Sequence, residues 1–184
     1  MTTSTQPSSD AAATTPQPPT SERADLLAML AKHRFFLRLT ARDLTDEQAA
    51  ARTTVSALCV GGLIKHVASV EESWRRFASG LPNAMSDAGE ESYEAHANSF
   101  RMLPGETLAG VLAHYDEVAR ATDEFVGTVA DLDQAHPLPE APWFAPGEAW
   151  SVRRVIMHII AETAQHAGHA DIVREGIDGA KSMG

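Results

Sequence analysis

Residues 150–171 read WSVRRVIMHIIAETAQHAGHAD, and this stretch is the most informative part of the sequence. Ser151 is a typical N-cap residue, and the apolar residues after it recur every three or four positions. This spacing predicts one long amphipathic helix that runs from Ser151 to about Arg174, with Gly176 and Gly179 breaking it.

Three further segments share this helical periodicity, at about residues 22–43, 63–79 and 107–132. No stretch of useful length alternates between apolar and polar residues as a strand does. Amphipathic helices must bury their apolar faces against one another. The pattern therefore predicts an all-α protein whose four long helices form a bundle.

The connections between these helices are predicted from their turn residues. Residues 45–48, TDEQ, form a capping box that predicts a short extra turn. Gly61 and Gly62 are expected to precede the second long helix. The polar connection 83–106 is expected to hold a short helix near residues 93–101, and the proline-rich stretch 133–150 is predicted to be a loop.

The two ends of the chain differ in composition from its centre. Residues 1–21 are rich in Thr, Ser, Pro and Ala and lack large apolar side chains, so they are predicted to be a disordered tail. The bundle is expected to span residues 22–179 as one domain, and residues 180–184 are expected to form a short tail.

Charge and hydropathy argue against two classes of partner. The formal net charge of the 184 residues is −10, and the sequence contains no basic stripe of the kind that neutralises phosphates, so no nucleic-acid partner is expected. No apolar run approaches the roughly 20 residues that cross a bilayer. The single cysteine, Cys59, excludes an internal disulfide and fits a reducing cytoplasm. A cytoplasmic location is therefore predicted.

One side of the last helix carries an unusual row of polar side chains. His158, Glu162 and His166 are four residues apart, and His169 follows three residues later. Side chains at this spacing lie on one helix face with Cβ atoms about 5–6 Å apart, so two of them can bind one ion. A hydrogen-bonded polar cluster is the alternative interpretation of the row. Asp171 and Arg174, also three residues apart, are predicted to form an ion pair.

The second long helix offers a matching imidazole. His66 lies beside the apolar stripe of that helix, and with Glu162 and His166 it would make a set of two imidazoles and one carboxylate. Three protein ligands leave one coordination position open, as in catalytic metal sites. Imidazole ligands favour Zn²⁺, with Ni²⁺ or Fe²⁺ as alternatives. His158 and His169 remain alternative ligands.

Two motifs resemble those of a known family. Residues 62–74, GLIKHVASVEESW, are similar to the second-helix signature of the DinB-like superfamily, and residues 158–179 are similar to the last helix of one of its branches. The resemblance implies an up-down-down-up four-helix bundle, often a homodimer. It also implies a divalent metal ion held by His66 and by two ligands four residues apart, here Glu162 and His166.

The carboxylate departs from the three-histidine pattern of typical DinB-like proteins. In this respect the sequence is similar to the mycothiol-dependent maleylpyruvate isomerase branch, in which a Glu replaces one of the three histidines. The resemblance implies a transferase or isomerase that uses the metal to activate a small thiol, such as mycothiol or bacillithiol, toward an electrophilic small molecule. His158 and His169 are candidates for polar groups just outside the ligand set that orient it, and His169 is also the candidate general base.

Two other functions are compatible with the same ligands. The chain could be a non-catalytic, metal-stabilised stress or binding module, or a metal-dependent hydrolase with water in the open position. Outside the candidate site, Trp74 and Trp150 are expected to pack at the end of the bundle, and Cys59 is expected to be a buried, inert thiol.

Overall fold

The computed structural model describes residues 21–81 and 90–182. The elements in this part of the chain are α1 (Glu22–Leu39), α2 (Asp46–Ala50), α3 (Val60–Ala78), α4 (Glu90–Ser99), α5 (Leu108–Thr128), β1 (Ala135–Pro137), β2 (Ala149–Ser151) and α6 (Val152–Asp178). The predicted all-α class and the four long helices are confirmed. The predicted tail at residues 1–21 lies outside the described residues, except for Ser21, which caps α1.

Helices α1 and α6 are parallel neighbours. At their first turns, Arg153 of α6 forms an ion pair with Glu22 of α1. At their other ends, the Arg174 guanidinium donates to the carbonyl oxygens of Thr40 and Arg42, at 2.9 and 2.6 Å. These carbonyls follow the end of α1, so the Arg174 side chain satisfies acceptors that the helix leaves open.

The other two long helices run in the opposite direction. His66 of α3 lies beside His166 of α6, whereas Trp74, later in α3, lies beside His158, earlier in α6, so these helices are antiparallel. Arg23 at the start of α1 donates to the Val126 carbonyl near the end of α5, so these two are antiparallel as well. The order along the chain is therefore up, down, down, up, as the DinB-like resemblance implied.

The core consists of two apolar clusters separated by a polar layer. One cluster surrounds Leu63 and Leu37, and the other surrounds Leu30 and Trp74. Arg34 of α1 and Glu71 of α3 lie between them; both are buried, and they form a bidentate ion pair. Arg34 also donates to Asp123 of α5 at 2.7 Å. The periodicity of apolar residues did not predict this layer. Arg34 and Glu71 are charged, yet they occupy positions of their helices that pack into the core.

Two glycine predictions were wrong. Gly61 and Gly62 belong to the first turn of α3, which Cys59 caps by accepting from the Gly62 amide at 3.4 Å. A Cβ atom at Gly62 would overlap the Phe100 carbonyl, so glycine here lets the segment after α4 approach the α3 backbone. Gly176 also lies inside a helix, since α6 continues to Asp178.

Helix α6 ends at Asp178, and a glycine follows it. Gly179 adopts a left-handed conformation with φ 77°, and its amide donates to the Glu175 carbonyl, as in many helix C-caps. The predicted ion pair between Asp171 and Arg174 is wrong. Arg174 pairs with Asp178 one turn later, at 2.7 Å, while Asp171 accepts from the Ser182 amide.

The stretch between α5 and α6 is not only a loop. Strands β1 and β2 pair antiparallel, with His136 opposite Trp150. Each strand has three residues, which is too short for an alternating pattern to be visible in the sequence. The hairpin places Trp150 against Trp74 of α3 in a stacked arrangement, which confirms that both pack at the bundle end. None of the helices in the described ranges combines the length and apolarity that a membrane crossing needs.

Candidate metal centre

The structure brings together the three side chains proposed as metal ligands. His66 comes from α3, and Glu162 and His166 come from consecutive turns of α6. One nitrogen or oxygen atom of each lies within 4.8 Å of the other two. The other two candidates, His158 and His169, are outside this group of three.

Glu162 lies between two imidazoles of its own helix. Its Oε2 atom is 3.6 Å from Nε2 of His166, and its Oε1 atom is 3.8 Å from Nε2 of His158. The carboxylate and His166 therefore approach each other through the atoms that ligate metals. This arrangement follows from the four-residue spacing, which places successive side chains on one helix face.

His66 is held by contacts with the last residue of α4 and the residue after it. Its Nδ1 atom is 2.9 Å from the Ser99 hydroxyl oxygen, and its ring stacks on Phe100 with centroids 3.9 Å apart. The Ser99 hydroxyl itself donates to the His96 carbonyl at 2.7 Å. Because that proton is already used, Ser99 accepts the proton of Nδ1, which assigns the lone pair of His66 to Nε2.

The protonation states favour cation binding. Burial, together with the neighbouring His166 and His96, lowers the pKa of His66 to about 4. Burial also lowers the pKa of His166, although the Glu162 carboxylate opposes this effect. Both imidazoles are therefore neutral at neutral pH, and metal ligation requires the neutral form. Two neutral imidazoles and one carboxylate are a donor set that fits a divalent cation.

His169 lies behind His166 as seen from Glu162. The Nδ1 atoms of His166 and His169 are 3.4 Å apart. If His166 ligates through Nε2, its Nδ1 carries the proton and donates to His169. The other nitrogen of His169 then carries that ring's proton, so His169 can accept a further proton only by giving up this contact. The geometry favours His169 as a group that orients His166.

The connection after α3 supplies three residues that sequence reasoning did not find. Ser99 and Phe100 touch His66 directly, and the His96 ring meets the His66 ring edge-on with centroids 5.6 Å apart. These residues belong to α4 and the segment after it, which have a weak apolar pattern and no recognisable ligand spacing. Gly62 allows this close approach, but a glycine in the sequence does not indicate which segment packs against it.

The fold and this site define the class of protein: a DinB-like four-helix bundle with a candidate metal centre between its second and fourth long helices. The sequence pattern of the mycothiol-S-transferase family matches residues 25–179, and the chain belongs to that family. No curated protein matches the sequence.

A solved structure shares the architecture. A crystal structure of a conserved protein from Enterococcus faecalis superposes with a TM-score of 0.66 at 12% identity, over 88% of this chain and 100% of that one. At this level of identity the similarity supports the fold alone.

Proposed function

We propose that the protein is a metal-dependent S-transferase or isomerase that activates a small thiol of the mycothiol type. The observation that carries the proposal is the convergence of His66, Glu162 and His166 in a chain of the mycothiol-S-transferase family. The proposed cofactor is a divalent ion, with Zn²⁺ favoured by the imidazole ligands and Ni²⁺ or Fe²⁺ as alternatives.

The bound ion and the residues around it would have different roles. A bound divalent ion would act as a Lewis acid that favours the thiolate form of a thiol at the open coordination position. Ser99 holds His66 in the tautomer that presents Nε2, and Glu162 supplies the single negative charge of the ligand set. In transfer, the sulfur forms a bond to the electrophilic carbon, the leaving group departs with its electron pair, and the thiol proton passes to a base.

His169 was predicted to act either as that base or as an outer group beside the ligands, and we propose that it chiefly orients His166. The 3.4 Å contact between the two Nδ1 atoms supports the orienting role. The two roles make different predictions for His169→Gln. Loss of a base flattens the acidic limb of the pH–rate profile, whereas loss of an orienting contact weakens metal binding and leaves the shape of the profile unchanged.

The first experiment is metal analysis of the purified protein beside His66→Ala and His166→Ala. We expect close to one ion per chain in the wild type and essentially none in either variant. The exposed His114 of α5 provides the matched control, since His114→Ala removes an imidazole that is not in the group of three and should retain the ion. A wild type that refuses added Zn²⁺, Ni²⁺ and Fe²⁺ would overturn the proposed metal centre.

The second experiment is titration of the Co²⁺-loaded protein with mycothiol, followed by a screen of electrophiles. A thiol that binds the metal adds a sulfur-to-metal charge-transfer band, and the same thiol should leave apo protein unchanged. Metal that raises thermal stability while thiols change nothing would favour a non-catalytic module. Metal-dependent hydrolysis without thiol would favour the hydrolase alternative.

We also propose a homodimer in the cytoplasm, where thiols are kept reduced. Two exposed apolar side chains of α6, Met157 and Ile172, support an interface there. Light scattering tests this directly. Wild type should have twice the mass of the chain, and the double variant Met157→Glu with Ile172→Glu should be a monomer.

A further inference from the structure

His158 is the remaining member of the polar row on α6, and its position relative to the ligands is specific. It lies one turn before Glu162, on the side away from His166. The two carboxylate oxygens therefore face different imidazoles, Oε1 toward His158 and Oε2 toward His166. Of these three α6 side chains, only Glu162 and His166 belong to the convergent group, which His66 completes, so His158 faces the carboxylate from outside that group.

A stack of aromatic side chains holds the His158 ring. Trp74 of α3 and Trp150 of β2 lie with centroids 4.7 Å apart and an angle of 8° between their planes. The His158 ring meets both edge-on, at 4.7 Å from Trp74 and 5.2 Å from Trp150. We call Trp74 and Trp150 the tryptophan shelf. Both tryptophans are nearly fully buried, so the shelf offers His158 few alternative orientations.

The shelf is itself fixed by polar contacts at its outer edge. The Trp150 indole N–H donates to Glu148 at 2.9 Å, and the Arg154 guanidinium lies 4.2 Å above the Trp150 ring. Glu148 and Arg154 also form an ion pair at 3.0 Å. The hairpin and the first turn of α6 thus determine where Trp150 lies, and Trp150 helps to determine where His158 lies.

We propose that His158 is a positioning residue that holds the Glu162 carboxylate so that Oε2 is directed at the metal ion. The proposal rests on the proposed metal centre. When one oxygen of a carboxylate accepts a hydrogen bond from an N–H group, the other oxygen remains free to bind the metal. Hydrogen bonds of this kind commonly orient metal ligands. The present 3.8 Å separation is longer than a hydrogen bond, and a movement of about 1 Å closes it.

The test measures metal affinity by competition with a chromophoric chelator, using Co²⁺ and Zn²⁺. His158→Ala should weaken binding about 10- to 100-fold, the usual effect of removing an outer contact of a ligand. His158→Gln, which keeps an N–H donor near the position of Nε2, should recover most of the affinity. His114→Ala is the control and should bind as the wild type does.

A second variant tests the shelf itself. Trp150→Leu removes one aromatic support of His158 without changing any polar group in the site, and it should weaken Co²⁺ binding by a smaller factor than His158→Ala. Thermal unfolding of the apo proteins shows whether the variant still folds. If Trp150→Leu unfolds, the comparison of His158→Ala with His158→Gln still decides the proposal.

Three results would contradict the positioning role of His158, and they distinguish its failure from failure of the metal centre itself. Equal affinities of wild type and His158→Ala would remove the positioning role while leaving the metal centre intact. A Co²⁺ absorption spectrum that shifts in His158→Ala would identify His158 as a ligand instead. A wild type that binds no metal would remove the centre, and this inference with it.

Discussion

Helix α3 carries two buried polar side chains five residues apart, and their surroundings are opposites. Glu71 faces a cation, because Arg34 binds both of its oxygens and also reaches Asp123. His66 faces other Lewis bases, since Glu162 and His166 bring their own lone pairs to within 4.8 Å of it. The same helix thus contributes to one polar cluster whose charges are complementary and to another whose donor atoms converge.

The difference separates a structural cluster from a ligand site. In the polar layer, burial disfavours the charged form of Arg34, but Glu71 and Asp123 outweigh this effect and raise the pKa of Arg34. The layer therefore keeps its charges without a further partner. In the His66 cluster three possible ligand atoms lie within 4.8 Å of one another, and a cation is the partner that would stabilise this arrangement.

The largest expected effect comes from breaking the complementary cluster. Glu71→Ala leaves the buried Arg34 without its main partner, which should cost about 3–5 kcal/mol in the free energy of unfolding. Urea denaturation measures this change. Metal affinity of the protein that remains folded should be unchanged, and a loss of affinity would mean that the two clusters are coupled.

Replacing both partners is the matched control for that prediction. Arg34→Met with Glu71→Leu fills the layer with apolar side chains of similar volume, so it should recover most of the lost stability. A double variant as unstable as Glu71→Ala would show that Asp123 and the packing around Tyr115, rather than the ion pair, determine the stability of this layer.

The pH dependence of the apo protein tests the convergent cluster. The pKa of His66 is lowered to about 4 when folded, whereas an unfolded histidine titrates near 6.5. Between these values the unfolded chain binds more protons, so the contribution of His66 to stability is present above pH 6.5 and is lost as pH falls toward 4. Burial lowers the pKa of His166 and His158 as well, and these add in the same direction.

Urea denaturation at several pH values across that window measures the slope. His66→Gln should reduce the dependence of unfolding free energy on pH, and the exposed control His114→Gln should leave it as in the wild type. An identical slope in wild type and His66→Gln would show that His66 does not become buried in its neutral form.

The hydrogen bond that His66 donates to Ser99 sharpens the comparison, because it fixes Nε2 as the nitrogen that carries the lone pair of His66. Ser99→Ala should weaken Co²⁺ or Zn²⁺ binding about 10-fold, with little change in the stability of the apo protein. Ser69 is an exposed serine of α3 one turn along from His66, and Ser69→Ala is the matched control. Equal metal affinities of Ser99→Ala and Ser69→Ala would contradict the assigned tautomer.

The smallest effect is expected from an ion pair at the surface. Arg38 and Asp116 pair between α1 and α5, but the Asp116 side chain is 59% exposed, in contrast to the fully buried Glu71. Asp116→Asn should change the unfolding free energy by less than about 1 kcal/mol, because water and salt screen exposed charges. A loss as large as that of Glu71→Ala would show that burial does not govern these pairs.

Periodicity was enough to predict the four long helices, since the 3.6-residue repeat of apolar side chains is a local property of the chain. Their ends were less predictable. Residues 61 and 62 lie in the first turn of α3, and the segment after α4 packs closely on them, a contact that no local rule for glycine contains. The hairpin was not predicted for a similar reason. Its three-residue strands are stabilised by pairing with each other and by the packing of Trp150 on Trp74, which are not local properties of the sequence.

The candidate site also has a part that the sequence predicts and a part that depends on tertiary structure. The row of His158, Glu162 and His166 can be read from the sequence alone, because residues four apart on one helix are neighbours whatever the rest of the fold does. His66 was also predicted to complete the set, and the tertiary structure brings it to Glu162 and His166. Tertiary structure alone decided that Ser99 selects the tautomer of His66 and that Arg34 pairs with Glu71. Those contacts join residues more than 30 positions apart, and they depend on how helices pack rather than on the repeat within any one of them.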